Sequence, residues 1–315
     1  MARVLRAVFV LLSVAGDFSL AEGGEPSRTR VPPPRRLTAD GLPKRRPAWS
    51  PDGRRLAFAR LERSGIHLWQ YIWTLGDGSE PKRLLASLET PHFDAVFAPD
   101  GQRLLVCTIR FIGTQGIVDV AAVDPDGSNL TSILPKEPSE VVHQEWPAWS
   151  PDGRRFAFSS THEGNQEIYT TSADGSDLVR LSQNPGHDAH PCWHPDGTRI
   201  AYATDRFGGG LEIVSVAPDA TGLKRLTTSR GLDDYPTWSP DGRRLAFVSN
   251  RDGQFEIYVA EADGSRPTNL TAHPARDEFP TWTPDGKGIT FVSDRGGATD
   301  LYVIDVPAED HSPAN

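Results

Sequence analysis

The chain has 315 residues, 33 Lys+Arg against 42 Asp+Glu, a formal charge of −9, and 37% hydrophobic residues, with 29 Gly and 27 Pro; at roughly 100–200 residues per domain it holds about one to three domains with a sizeable core. The acidic balance is spread rather than blocked and excludes a general nucleic-acid binder, which needs surplus Lys and Arg to neutralise phosphates. Two cysteines, Cys107 and Cys192, exclude a disulfide framework and a multi-thiolate zinc centre.

Residues 1–21 place Arg3 and Arg6 ahead of the apolar run from Ala7 to Ala15 and end in Ser19-Leu20-Ala21. That layout predicts a secretory signal cleaved after Ala21. The run is shorter than the ~20 apolar residues that span a bilayer, and no other long apolar run exists, so the mature chain is expected to be exported, periplasmic or secreted, without a membrane span. Residues 22–34, rich in Gly, Pro and charge, read as a linker.

From residue 35 the chain repeats. Pro-Asp-Gly recurs at Pro51, Pro99, Pro151, Pro195, Pro240 and Pro284, each preceded by an aromatic residue: Trp49, Phe97, Trp149, Trp193, Trp238 and Trp282. Proline sets φ for the turn, aspartate bonds back to nearby amides, and glycine supplies the positive φ at which the chain reverses. After each triplet come a short β-type run, a polar loop, a second β-type run, usually a second turn, and a final short run ending in Leu-Ser or Leu-Thr. The runs are too short for helices, and no 12-residue amphipathic period occurs. Six four-stranded antiparallel sheets are predicted, packed face to face as the blades of an all-β six-bladed propeller over residues 35–306. Leu37 precedes Trp49 by the same 12 residues that separate Leu181 from Trp193, and the sixth repeat stops after Leu301–Val306. The segment Arg35-Arg36-Leu37-Thr38 is therefore expected to complete the last blade and close the ring, which hides two strand edges. Residues 307–315 are left as a C-terminal tail.

The sentence Pro-x-Trp-Ser-Pro-Asp-Gly, followed by a Phe-x-Ser strand, a Gly loop, Ile-Tyr, Asp-Gly and Leu-Thr, resembles the TolB-type family of WD40-like β-propeller repeats. The resemblance covers about residues 35–306. It implies a propeller that receives a protein partner such as an envelope lipoprotein; only residues 22–34 stand where that family carries a separate α/β domain, so membership of a Tol system does not follow.

Counting back from each aromatic, the fifth residue is Lys44, His92, Gln144, Asp188, Asp233 or Asp277, and the fourth is Arg45, Phe93, Glu145, Ala189, Asp234 or Glu278. These positions are expected to gather at one channel mouth, basic at Lys44 and Arg45 and otherwise polar or acidic at Gln144, Glu145, Asp188, Asp233, Asp234, Asp277 and Glu278, a field suited to a protein or peptide partner. Reversing Asp233, Asp234 and Asp277 is expected to abolish capture without unfolding. The competing reading is that Arg206, Arg251 and Arg295 pair with these acids between blades. His143, His187 and His190 form a candidate divalent-metal set, and the resemblance to oligogalacturonate lyases, which use a His/Gln-held metal in the channel, implies the alternative of a metal-dependent carbohydrate lyase or hydrolase. Against this, His190 takes the slot of Trp146, Tyr235 and Phe279, as if packed. His67, Trp69, Tyr71 and Trp73 alternate along one strand and read as core. Asn129-Leu130-Thr131 and Asn269-Leu270-Thr271 read as outer-strand residues rather than glycosylation acceptors. Cys107 and Cys192 are expected to be free and buried.

No G-x-S-x-G, H-E-x-x-H, C-x-x-C, P-loop or dinucleotide motif occurs. The reading is a monomeric, exported, non-catalytic binding platform at the cell envelope, needing no cofactor.

Overall fold

The computed structural model describes residues 32–64, 67–76, 80–85, 90–134 and 141–307, with the side chains of residues 64 and 67–69 outside that set, and every regular element within it is a strand. The expected signal, most of the linker, and the tail beyond Pro307 lie outside the described residues.

Strand β1 (Arg35–Arg36) is followed by six meanders. Blade 1 is β2 (Lys44–Trp49), β3 (Arg55–Ser64), β4 (His67–Gly76) and β5 (Lys82–Arg83); blade 2 is β6 (His92–Phe97), β7 (Leu104–Ile112), β8 (Gln115–Val123) and β9 (Thr131–Ser132). Blade 3 is β10 (Gln144–Trp149), β11 (Arg155–Ser160), β12 (Glu167–Ser172) and β13 (Val179–Arg180). Blade 4 is β14 (Asp188–Trp193), β15 (Ile200–Thr204), β16 (Glu212–Val216) and β17 (Lys224–Arg225). Blade 5 is β18 (Asp233–Trp238), β19 (Arg244–Ser249), β20 (Glu256–Glu261) and β21 (Thr268–Asn269). Blade 6 is β22 (Asp277–Trp282), β23 (Gly288–Ser293) and β24 (Asp300–Asp305), and β1 pairs antiparallel with β24 as its fourth strand, Arg35 opposite Val303 and Arg36 opposite Tyr302.

The Pro-Asp-Gly turns of blades 1, 3, 5 and 6 are built alike, whereas blade 2 has Ala98 and blade 4 His194 in place of the hydroxyl residue. In blade 1 the Ser50 hydroxyl donates to Asp52 Oδ1 at 2.6 Å and accepts the Arg55 amide at 2.9 Å, while the Arg54 amide donates to the same carboxylate at 3.1 Å. Gly53 takes a φ of +70° and packs on Pro284 of blade 6, as Gly101 packs on Pro51 and Gly153 on Pro99. The turns thus stack from blade to blade around the ring, with Gly53 on Pro284 bridging the first and last.

Each blade interface holds its own hydrophobic cluster, such as Leu245, Phe247 and Tyr258 with Ala201 and Ile213 between blades 4 and 5, or Leu56 and Phe58 with Val292 and Leu301 between blades 6 and 1. Residues of the three inner strands alternate between two such clusters, so both faces of every blade are buried there, while the two-residue outer strands are largely exposed. Burying a Phe or Leu at these positions contributes roughly 1.5–3 kcal/mol each. Tyr71 is buried and Trp73 packs beneath the Arg60 guanidinium, 3.3 Å from its ring centre, so both belong to the blade packing; the side chains of His67 and Trp69 lie outside the described residues.

The outer strands are held by a repeated clasp. In blade 3, Glu167 at the start of β12 accepts from Ser182 at 2.5 Å and Arg180 at 3.0 Å, while the Ile168 amide donates to the Ser182 hydroxyl at 2.8 Å. In blade 6, Asp300 accepts from Thr38 at 2.8 Å and from Arg36, and the Leu301 amide donates to the Thr38 hydroxyl at 3.1 Å. Arg36-Leu37-Thr38 therefore makes the contacts that Arg180-Leu181-Ser182 makes in an uninterrupted blade. In blade 2, Leu130 precedes β9 and is exposed, and Ile133 takes the place expected for it, its amide donating to Val120 as that of Leu181 does to Ile168.

Candidate functional site

Every inner strand carries one extra residue relative to its partner. The register jumps between Arg45 and Ala48, Phe93 and Val96, Glu145 and Ala148, Ala189 and Cys192, Asp234 and Thr237, and Glu278 and Thr281. At each bulge one non-glycine residue adopts the left-handed conformation: Arg46 (φ 45°), Asp94 (53°), Trp146 (56°), His190 (53°), Tyr235 (51°) and Phe279 (55°). Left-handed backbone at bulky residues costs roughly 1–3 kcal/mol each. Proline follows five of them, and its fixed φ and missing N–H suit the unpaired step of a bulge. The bulge re-aims these six side chains toward the channel axis, where they meet.

The ring they form is largely aromatic. His190 stacks on Tyr235 with ring centres 3.9 Å apart and lies 4.2 Å from Trp146, while Tyr235 and Phe279 meet edge to face at 4.7 Å. Arg46 sits 5.7 Å over Tyr235, with its Nε 3.6 Å from Asp94, and Asp234 lies 2.6 Å from His190 Nδ1 while accepting the Tyr235 amide at 2.7 Å. Burial lowers the pKa of His190 against the pull of Asp234, and raises that of the Asp94 carboxyl against the pull of Arg46. Trp146 and Tyr235 are half-buried, whereas Asp94, His190 and Phe279 are buried.

The nine residues predicted for the mouth divide into two groups. Asp188, Asp233 and Asp277 are fully buried and accept from Arg206 at 3.2 Å, Arg251 at 3.0 Å and Arg295 at 2.6 Å, pairs within a blade rather than between blades. Lys44 is equally buried, with its ammonium on Asp300 at 2.8 Å, on the Leu42 carbonyl and on Asp40. Reversing Asp233 or Asp277 therefore sets a cation at a fully buried position against a partly buried arginine and is expected to unfold the blade, so the triple reversal is not a clean test of capture. The second group faces the channel. Arg45 is exposed above Phe279, Glu145 is held by Gln166 at 2.8 Å, Glu278 by Arg276 at 2.7 Å, and Asp234 reaches His190; Gln144, the first residue of its strand, belongs with the buried group and lines a pocket with Leu134, Phe158 and Tyr169 instead. What separates the groups is the pleat: the strand's first residue turns into its own sheet and the next turns toward the axis.

The predicted histidine set does not assemble. His143 Nδ1 accepts the Val118 amide at 3.4 Å, His187 is exposed with its ring edge-on to Trp146, and His190 is committed to Asp234 between two aromatic rings. Among the described residues no group of three His, Cys, Asp or Glu is arranged to hold a metal ion. Both cysteines are free; Cys107 is buried, while Cys192 is half-buried in the channel wall, where burial pushes its thiol up to about 12. Asp94 escaped the sequence reading, because blade 2 lacks the bulge proline that marks the position elsewhere.

The TolB beta propeller domain profile matches residues 139–233 and 213–313, together more than half of the chain. An uncharacterized protein of Agrobacterium fabrum, Atu1656, is 27% identical over 138 residues, 43% of this chain and 42% of its own length, so the match spans less than half of that relative. A structure of a putative TolB from Agrobacterium tumefaciens superposes with a TM-score of 0.63 at 21% identity, covering 85% of this chain and 91% of that one. An oligogalacturonate lyase in complex with manganese superposes with a TM-score of 0.59 at 18% identity, covering 86% and 92%. At such identities these two share the fold.

Proposed function

The chain belongs to the TolB beta propeller domain family, and from that premise we propose that it is a non-catalytic, exported platform that binds a protein or peptide partner at the cell envelope through one mouth of its channel. One observation carries the reading: the bulges of blades 3 to 6 present a continuous set of rings, Trp146, His190, Tyr235 and Phe279, beneath a rim that is cationic at Arg45 and anionic at Glu145 and Glu278. Rigid aromatic anchors ringed by charge are the composition of binding hot spots. The opposed rim charges orient an incoming segment and raise its rate of encounter.

The test is photocrosslinking in envelope extracts, with the crosslinker placed at Arg45. The wild-type chain is expected to give a discrete adduct that Trp146→Ala or Glu278→Lys removes, while Arg54→Glu, on the exposed Pro-Asp-Gly turn at the other end of the blade, leaves it intact. Loss of the adduct with Arg54→Glu but not with the mouth variants refutes the assignment.

A further inference from the structure

We propose that the channel also holds a small carboxylate, bound between Arg46 and His190 beneath the aromatic ring. The bulge residues and the residues that follow them on the inner strands line a half-open cavity of ≈ 160 Å³, walled also by prolines such as Pro147, Pro191 and Pro236 and by Thr237, Thr281 and Cys192. A cavity of about 150 Å³ admits a molecule of benzene size. Into this chamber of mixed polarity two blades contribute nitrogen-bearing side chains that line it, Arg46 and His190, and each carries a buried nitrogen with no hydrogen-bond partner: Arg46 Nη1 and His190 Nε2. The His190 side chain is 8% exposed. A buried N–H or ring nitrogen left unpaired is costly, and two of them bordering one cavity ask for the same ligand.

The chemistry of the pair selects that ligand. Asp234 accepts a hydrogen bond from His190 Nδ1–H, which leaves Nε2 with a lone pair in the neutral ring and an N–H in the protonated one. Arg46 offers only donors. A carboxylic acid satisfies both: one oxygen accepts from Arg46 Nη1, and the acid's proton passes to Nε2, which then donates to the second oxygen. The charged and titratable groups around His190 and its stacked Tyr235 are Asp234 on blade 5, Asp94 on blade 2, Arg46 and Arg45 on blade 1, Glu278 on blade 6, already paired with Arg276, the Cys192 thiol and the Tyr235 phenol. The two arginines and two aspartates balance, so an added carboxylate is neutralised only by an imidazolium. Binding of the anion from neutral solution therefore takes up a proton, and affinity is expected to fall about tenfold per pH unit on the alkaline side. Thr237 and Thr281 add hydroxyls to the wall for a second polar group on the ligand.

The carboxylate belongs either to a free small acid or to the end of a peptide, and titration calorimetry on the full chain separates them. The probes are benzoate, benzamide, and a short peptide with a free or an amidated C-terminus, each at two pH values and in two buffers of different ionisation heat. Benzoate binding with uptake of about one proton, weakened at least tenfold by Arg46→Gln and by Thr281→Leu, is the expected result. Binding of the free-ended peptide but not of its amide, with the same proton uptake, assigns the site to a chain end. Thr281→Leu fills the cavity without touching a charge, so it decides the matter if Arg46→Gln fails to fold. No heat with benzoate or peptide at millimolar concentration, equal binding of benzamide, or binding indifferent to Thr281→Leu overturns the proposal.

Discussion

Replacing Asp300 by Asn tests how the ring is closed. The carboxylate is fully buried and accepts from Thr38 at 2.8 Å, from Lys44 at 2.8 Å and from Arg36, and the Lys44 ammonium is itself fully buried. Taking one partner from a buried ion pair costs roughly 3–5 kcal/mol, because the other charge stays buried. Lys44 keeps Asp40 and the Leu42 carbonyl, which places the expected loss near the lower end, about 3 kcal/mol. At roughly 2–4 °C per kcal/mol for a chain of this size, the Tm falls by about 6–12 °C. The Asp300 carboxyl is held below the ordinary carboxylate range by hydrogen bonds from Lys44, Arg36 and Thr38, which outweigh its burial. A carboxylate with a depressed folded pKa stabilises above its unfolded pKa, about 3.9, and loses that contribution as pH falls through the folded value. The gap between wild type and variant should therefore be full at pH 7 and close in acid. Urea unfolding followed by circular dichroism gives the magnitude, and limited trypsinolysis at Arg35 and Arg36 reports release of β1. Arg266→Ala in blade 5 serves as control, since it breaks an exposed pair to Glu261 within a continuous meander and should cost less than about 1 kcal/mol. A loss below about 1 kcal/mol in Asp300→Asn, or an equal loss in the control, refutes closure through this carboxylate.

Three further outcomes are expected. Burial pushes His92 down to about 4, so folding is favoured by a neutral ring, and this group's contribution fades as pH falls from the unfolded value near 6.5 toward 4; His92→Leu should flatten the stability profile in that window, and an unchanged slope refutes the assignment. Gly264 has a φ of +84°, and a Cβ there would stand 1.9 Å from the Leu226 carbonyl oxygen of the preceding blade; Gly264→Ala should destabilise by more than about 1 kcal/mol, whereas the same change at Gly253, also at positive φ but with open space around it, should cost less, and equal losses in denaturant titration refute the steric argument. Chain expressed with its own N-terminus should be recovered from the export compartment starting at Glu22, and N-terminal sequencing that finds Met1 there refutes the leader.

The bulge prolines show how far the site was legible. In Trp146-Pro147, His190-Pro191, Tyr235-Pro236 and Phe279-Pro280 the residue before proline is barred from the helical region, so a departure from regular strand is readable there. That the departure is left-handed and turns the side chain to the axis is not, because it depends on the neighbouring strand holding its register on both sides of the extra residue. The acids misled for a related reason. Asp233 and Asp234 are adjacent in sequence and chemically identical, yet one is sealed against Arg251 and the other bonds His190 in the channel.

Local chemistry, repeated six times, determined the strands, the turns and the architecture: Pro-Asp-Gly reverses a chain wherever it stands, and short β-branched and aromatic runs with two apolar faces must stack. The match of Arg35-Arg36-Leu37-Thr38 to the other outer strands was likewise written in the residues, since a clasp needs only an arginine, a leucine and a hydroxyl at fixed spacing. Only the closed ring decided which charges face one another. Arg46 and Asp94 are 48 positions apart, as are blades 1 and 2, and His190 finds Asp234 across the interface of blades 4 and 5. Such pairs arise from the rotation of one blade against the next about a common axis, a relation between distant segments that no local pattern encodes.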